Sequence, residues 1–162
     1  MSPPRPQKVL RTIGYWNGPS SERVTPEQIA SGCPVENRFI WPKDIVDPAW
    51  ESAVRSSIVT YLSTAPKIVA YMGLSWCRFR CGIQHLGATE LSDGIWVWPE
   101  GLAHYVEKHL IRLPDEFVAH LKTSDFRIPT EVWFKDPGFM RQYAVEWDMK
   151  FWEDWCNAQR KP

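Results

Sequence analysis

The chain has no charge bias. Its 162 residues carry 19 Lys and Arg against 19 Asp and Glu, a formal net charge of zero. No run of Lys or Arg marks a phosphate-binding face, so charge gives no support to a grip on duplex nucleic acid. The same balance gives none to electrostatic attachment to an acidic membrane. No stretch approaches the roughly 18 consecutive apolar residues of a membrane-crossing helix. Met1-Ser-Pro-Pro-Arg-Pro6 has no apolar stretch behind it, so no secretory signal is visible and a cytoplasmic, reducing location is expected. Internal repeats and low-complexity tracts are missing. So are the Gly-x-Gly-x-x-Gly fingerprint, the P-loop, the Gly-x-Ser-x-Gly elbow and the kinase motifs, which leaves nucleotide-dependent chemistry unsupported.

What is present is an ordinary globular composition with two departures, 10 Trp and 14 Pro. The prolines are scattered, so they punctuate structure and do not form a polyproline tract. Residues 1–46 read as a loop-rich arm broken by Gly14, Asn17-Gly18-Pro19, Gly32, Pro34 and Pro42. Thr25-Pro26-Glu27-Gln28 has the form of a helix start, with a capping Thr and Pro at the first helical position. Ile13, Tyr15, Trp16, Phe39, Ile40 and Trp41 would tie the arm to a body spanning 47–162.

Asp47-Pro48 predicts a helix start, and Trp50, Val54, Ile58, Tyr61 and Leu62 supply one apolar face up to Pro66. Lys67–Met72 reads as a short buried strand. Ala88–Leu91 and Ile95–Trp98 flank Ser92-Asp93-Gly94, a hairpin signal. Helices follow from Pro99-Glu100, with Leu102, Tyr105 and Val106 inward, and from Pro114-Asp115-Glu116, with Phe117, Val118 and Leu121 inward. After a connector over 124–135, Asp136-Pro137 predicts a long helix to about residue 158, bearing Phe139, Met140, Tyr143, Trp147, Phe151, Trp152 and Trp155. The expected class is α+β: a small antiparallel sheet with hairpins, packed by several helices including that long C-terminal one.

The four cysteines stand at 33, 77, 81 and 156. Cys77-Arg-Phe-Arg-Cys81 and His104-Tyr-Val-Glu-Lys-His109 give a C-x3-C…H-x4-H pattern, two ligands from a turn and two from a helix. That is the donor set of structural zinc, which needs four protein groups at about 2.0–2.3 Å in a tetrahedron. Residues five apart on an ideal helix diverge in direction, so His109 must sit where the helix ends, before Pro114. Weighed against this, a Cys can be a small buried hydrophobe and a His a hydrogen-bonded core residue. His85, Cys33 and Cys156 are alternative ligands.

Other chemistries compete. An open three-ligand site could activate water with Glu90, Asp93, Glu100 or Glu107 as base. Cys77 could be a nucleophile with His104 as base and Glu90 or Asp93 orienting the ring. Trp96 and Trp98 alternate on one strand face and could stack on a base or sugar, though core packing is the commoner role at such spacing.

The stretch Tyr71–Gly82, followed by Glu90–Val106 with its Asp-Gly-Ile-Trp-Val-Trp-Pro-Glu-Gly-Leu-Ala-His-Tyr-Val run, resembles a run in small uncharacterised bacterial proteins, over perhaps a quarter of the chain. The resemblance implies a bacterial source and no particular activity. There the cysteine pair is C-x2-C-Gly, and the extra residue between Cys77 and Cys81 departs from it. The hairpin-then-helix donor order is also similar to zinc-finger and treble-clef modules, which implies binding of nucleic acid or protein. The expected function is a zinc-stabilised, non-enzymatic module that binds another protein. An immunity or accessory protein of a bacterial toxin system is one concrete form. The competing expectations are a metal-dependent or cysteine hydrolase centred on Cys77, Cys81 and His104, and a nucleic-acid module using Arg78, Arg80 and the Trp96/Trp98 face.

Overall fold

The computed structural model describes residues 4–18 and 38–160. The Thr25–Gln28 helix start and Cys33 lie outside the described residues.

The architecture is α+β, built on one mixed five-stranded sheet. Strand β1 is Gln7–Thr12, β2 is Lys67–Ala70, β3 is Thr89–Ser92, β4 is Trp96–Pro99 and β5 is Ala144–Asp148, in the order β2-β3-β4-β1-β5. The helices are α1 Ser52–Thr64, α2 Leu102–His109, α3 Asp115–Thr123, the short α4 Phe139–Gln142 and α5 Lys150–Gln159.

The β2-β3-β4 part is an antiparallel meander, as the hairpin signals predict. At its tightest turn Gly94 adopts φ +94°, a conformation that favours glycine. Asp93 Oδ1 accepts the main-chain N–H groups of Ile95 and Trp96, which closes the turn.

The other part of the sheet differs from the sequence expectation. The segment read as a loop-rich arm contributes β1, which runs parallel to both β4 and β5. The expected long helix over 137–158 is divided into α4, β5 and α5. The physical reason is a double periodicity. Phe139, Tyr143, Trp147 and Phe151 recur every four residues, which suits a helix face. Tyr143, Val145 and Trp147 also alternate, which suits a strand face. The pairing of Gln7–Arg11 with Ala144–Asp148 gives the second pattern its ladder. Asp148 Oδ1 then accepts the Lys150 N–H and opens α5.

Helix α1 also begins later than Asp47-Pro48 predicts. Asp47 instead shapes a turn, with Oδ1 accepting the Ala49 N–H. The helix stops before Pro66, whose ring disfavours helix in the residue ahead of it.

Two apolar clusters cover the faces of the sheet. The larger joins Trp96, Trp98 and Leu91 to Ile58, Tyr61 and Leu62 of α1, Leu102, Tyr105 and Val106 of α2, Phe117 and Leu121 of α3, and Trp152 and Cys156 of α5. The smaller gathers Leu10, Ile68, Val97, Phe134 and Phe139, with Trp133 and Trp147 against it. Helix α2 thus rests its apolar face on the main core, and its His104 face is left toward the loop between β2 and β3. No helix among the described residues is long and apolar enough to cross a membrane.

Candidate metal centre

The loop between β2 and β3 is closed at its neck and sparsely bonded at its tip. At the neck, the N–H of Tyr71 donates to Ala88 O, that of Ser75 to Gly87 O and that of Leu86 to Ser75 O. Within 76–85, among the described residues, the loop makes a single main-chain bond to itself, Arg80 N–H to Cys77 O. Arg80 adopts φ +49° and Gly82 φ +86°, so the chain curls tightly past the second cysteine. That curl turns both thiols toward α2.

The helix meets them at its final turn. His109 is the last residue of α2, and Leu110 follows in the left-handed region with φ 55° and ψ 35°. The helix ends where the H-x4-H spacing requires it to end. The segment after it is pinned by the bridge between Val46 and Ile111 and by the Asp47 N–H donating to Leu110 O.

The four donors converge. Cys77 Sγ lies 3.2 Å from His109 Nε2, Cys81 Sγ lies 3.3 Å from His104 Nε2, and the two Nε2 atoms are 3.1 Å apart. All four donor atoms fall within 4.8 Å of one another, close enough to bind one metal ion. A tetrahedron with bonds of about 2.0–2.3 Å has edges of about 3.3–3.8 Å, so small side-chain shifts complete it. Two ring nitrogens facing each other beside two sulfurs present lone pairs to a common point, and one cation at that point satisfies all of them.

The local electrostatics favour the ligand forms of the rings. Burial lowers the pKa of both histidines. Lys108 depresses His104 further, and His104 does the same to His109. Both rings are therefore held toward the neutral, metal-binding form. Burial raises the Cys77 thiol, while the main-chain amides of Phe79 and Cys81 pull it back down. A bound cation supplies the charge that makes the thiolate affordable there.

Two supporting residues were not singled out from the sequence. Phe79 stacks flat on the His109 ring, with centroids 4.0 Å apart and planes 3° from parallel. Tyr105 accepts the Arg78 N–H at its hydroxyl, 2.9 Å away, and ties the turn to α2. The signal for Phe79 is a lone aromatic residue inside an otherwise polar Cys-Arg-Phe-Arg-Cys turn. Tyr105 carries only a core signal in the sequence, through its helical spacing with Leu102 and Val106.

Two of the alternative ligands, His85 and Cys156, lie elsewhere. His85 accepts the Gly87 N–H at Nδ1 within its own turn. Cys156 is on the buried face of α5, and burial pushes its thiol up to about 11. Neither belongs to the cluster.

The catalytic arrangements that the sequence allows do not assemble in the fold. Cys77 faces His109, and His104 faces Cys81. Glu90 accepts the Trp147 indole N–H, and Asp93 is taken up by Tyr61 and His120. Glu100 bonds to Thr89, and Glu107 lies against Lys108. No carboxylate among the described residues hydrogen-bonds to either imidazole of the cluster. Trp96 and Trp98 do share a face, but they are 1% and 0% exposed and pack in the core. They offer no stacking surface.

Comparison with known proteins adds nothing to this geometry, because no family model, no curated protein and no solved structure matches the chain.

Proposed function

We propose that the protein is a zinc-stabilised, non-enzymatic module that binds another protein. The observation that carries the reading is the donor set: two sulfurs from a turn and two imidazoles from the end of a helix, all turned to one point. Two thiolates and two neutral imidazoles suit zinc in a reducing environment. Four protein donors leave no position for a water or substrate, so the ion's role is to hold the loop on α2.

The surface supports binding. Eight large apolar residues are exposed among the described residues, and four of them, Tyr71, Met72, Leu74 and Ile83, lie on the loop that the donors staple. Exposed apolar side chains gathered in this way mark interaction surfaces. Tyr71, Met72 and Leu74 lie at the bonded neck of the loop, and Ile83 lies in its tip, where the loop makes one main-chain bond to itself.

Elemental analysis of the purified protein and of Cys77→Ser and His104→Ala tests the metal. The expected result is one zinc per chain in the parent and none in either variant. The binding role is tested by affinity capture with the parent and with a Met72→Glu/Leu74→Glu double variant that retains zinc. Capture of the same proteins at the same yield by both would contradict the role given to the loop.

A further inference from the structure

A cleft of about 570 Å³ opens beside the metal centre, between the loop, the start of α2 and the chain that follows β1. Its apolar walls include Tyr15, Trp16, Tyr71, Leu74 and Tyr105, and Arg78 lines it as well. A concave site of this volume, mostly apolar with a few polar groups, has the form of a small-molecule pocket.

The charges in the cleft are unevenly satisfied. Glu100 lines it, but one of its oxygens accepts from Thr89 Oγ1 and the Ala88 N–H, and the other pairs with Lys67 at 3.5 Å. Glu90 also lines it, with its carboxylate bonded to the Trp147 indole. Arg78 is treated differently. Its guanidinium donates from Nη1 to Trp76 O at 3.2 Å and lies near the Tyr105 hydroxyl, but no acid among the described residues lies within ion-pair distance of it. Its Nε–H is buried without any partner. A half-buried guanidinium without a counter-ion is costly, and a planar, singly charged acceptor satisfies its fork in bidentate fashion.

We infer that this cleft binds a small carboxylate whose body is aromatic or branched and apolar. The carboxylate pairs with Arg78, and the body covers Tyr71 and Leu74, which are otherwise exposed. A dianion such as phosphate fits less well, because one Arg faces it and the Glu100 carboxylate shares the cleft. The metal sets the geometry indirectly. Arg78 follows the Cys77 donor and its main chain is fixed by Tyr105. The inference shares Tyr71 and Leu74 with the protein-binding reading, but it is carried by Arg78, which that reading does not use, so the Arg78 variants test it separately.

Calorimetric titration of the metal-loaded protein tests it, with phenylacetate, phenylacetamide and inorganic phosphate as probes. Saturable binding of phenylacetate is expected, at least about tenfold tighter than that of the amide or of phosphate. Arg78→Gln is expected to lose about tenfold or more in phenylacetate affinity with zinc content unchanged. Arg78→Lys keeps the charge without the fork, and is expected to weaken binding while also keeping zinc, which separates loss of the ligand contact from loss of the fold. Equal affinity for acid and amide would overturn the inference. So would tighter binding of phosphate, unchanged affinity in both Arg78 variants, or no saturation up to about 10 mM.

Discussion

Two turns of this protein solve the same problem in opposite ways. The turn between β3 and β4 is satisfied from within. Asp93 is buried, and its two oxygens accept the Ile95 and Trp96 amides, the Tyr61 hydroxyl and the His120 ring. The turn from Cys77 to Cys81 makes one main-chain bond and presents its two thiols to a point shared with the α2 imidazoles. The first turn carries its own negative centre. The second gathers four donors that could hold a positive one from outside. The contrast separates a turn that the chain satisfies by itself from one whose donors would be completed by an ion.

The sharpest way to break the comparison is to take the ion away. Cys77→Ser, or a strong chelator added to the parent, is expected to cost about 4 kcal/mol and to lower Tm by roughly 10–15 °C, read by calorimetry. Hydrogen exchange in the treated protein should rise across residues 71–88 and stay slow in β3 and β4. Equal loss of protection in both regions would mean that the loop and the sheet are one cooperative unit.

Breaking the other turn should leave the metal in place. Asp93→Ala strands two amides, a hydroxyl and an imidazole, and a loss of about 3 kcal/mol is expected with one zinc per chain retained. Loss of zinc in this variant would show that the two turns are not separable.

The support of the metal turn can be probed more gently. Phe79→Ala removes the ring stacked on His109 and is expected to weaken metal affinity by about tenfold, measured by competition with a chromophoric chelator. Its Tm at saturating zinc should stay within a few degrees of the parent's.

The smallest effect is a pH dependence with two opposite signs. Burial pushes Asp93 up, but the hydrogen bonds from His120, Trp96, Tyr61 and Ile95 outweigh it, and its folded pKa lies below the usual aspartate value. The stability it contributes is present above its unfolded pKa of about 4 and is lost as pH falls through the lower folded value. Glu90 is raised by burial, against a smaller opposing effect of the Trp147 indole. Its contribution is complete below the unfolded value and is lost as pH rises through the folded one. Denaturation midpoints of Asp93→Asn and Glu90→Gln across pH 3–7 should therefore each remove one limb of the parent's profile.

The residues that were legible in the sequence are those whose partners are near in the chain or whose chemistry is distinctive. Ser92-Asp93-Gly94 announces its hairpin because an Asp and a Gly meet the needs of a tight turn locally. Pro66 marks the end of α1. The C-x3-C and H-x4-H pairs select four donors, and the need to place His109 at the end of a helix follows from helical geometry alone. Strands β1 and β5 are different. Their ladder joins Leu10 to Trp147 across most of the chain. Neither Lys8-Val-Leu-Arg11 nor Ala144-Val-Glu-Trp147 carries that partner in its own neighbourhood. The i, i+4 aromatics from Phe139 to Phe151 favour a helix until β1 is present to make the alternation of Tyr143, Val145 and Trp147 worth more. The part of Phe79 in the site was hidden for a similar reason, since only the folded loop lays it on the His109 ring.

Zinc K-edge X-ray absorption on the protein as purified reads the four donors themselves. One zinc per chain is expected, bound by two sulfurs at about 2.3 Å and two nitrogens at about 2.0–2.1 Å. A chain that carries no metal, or a metal bound without sulfur, would contradict it.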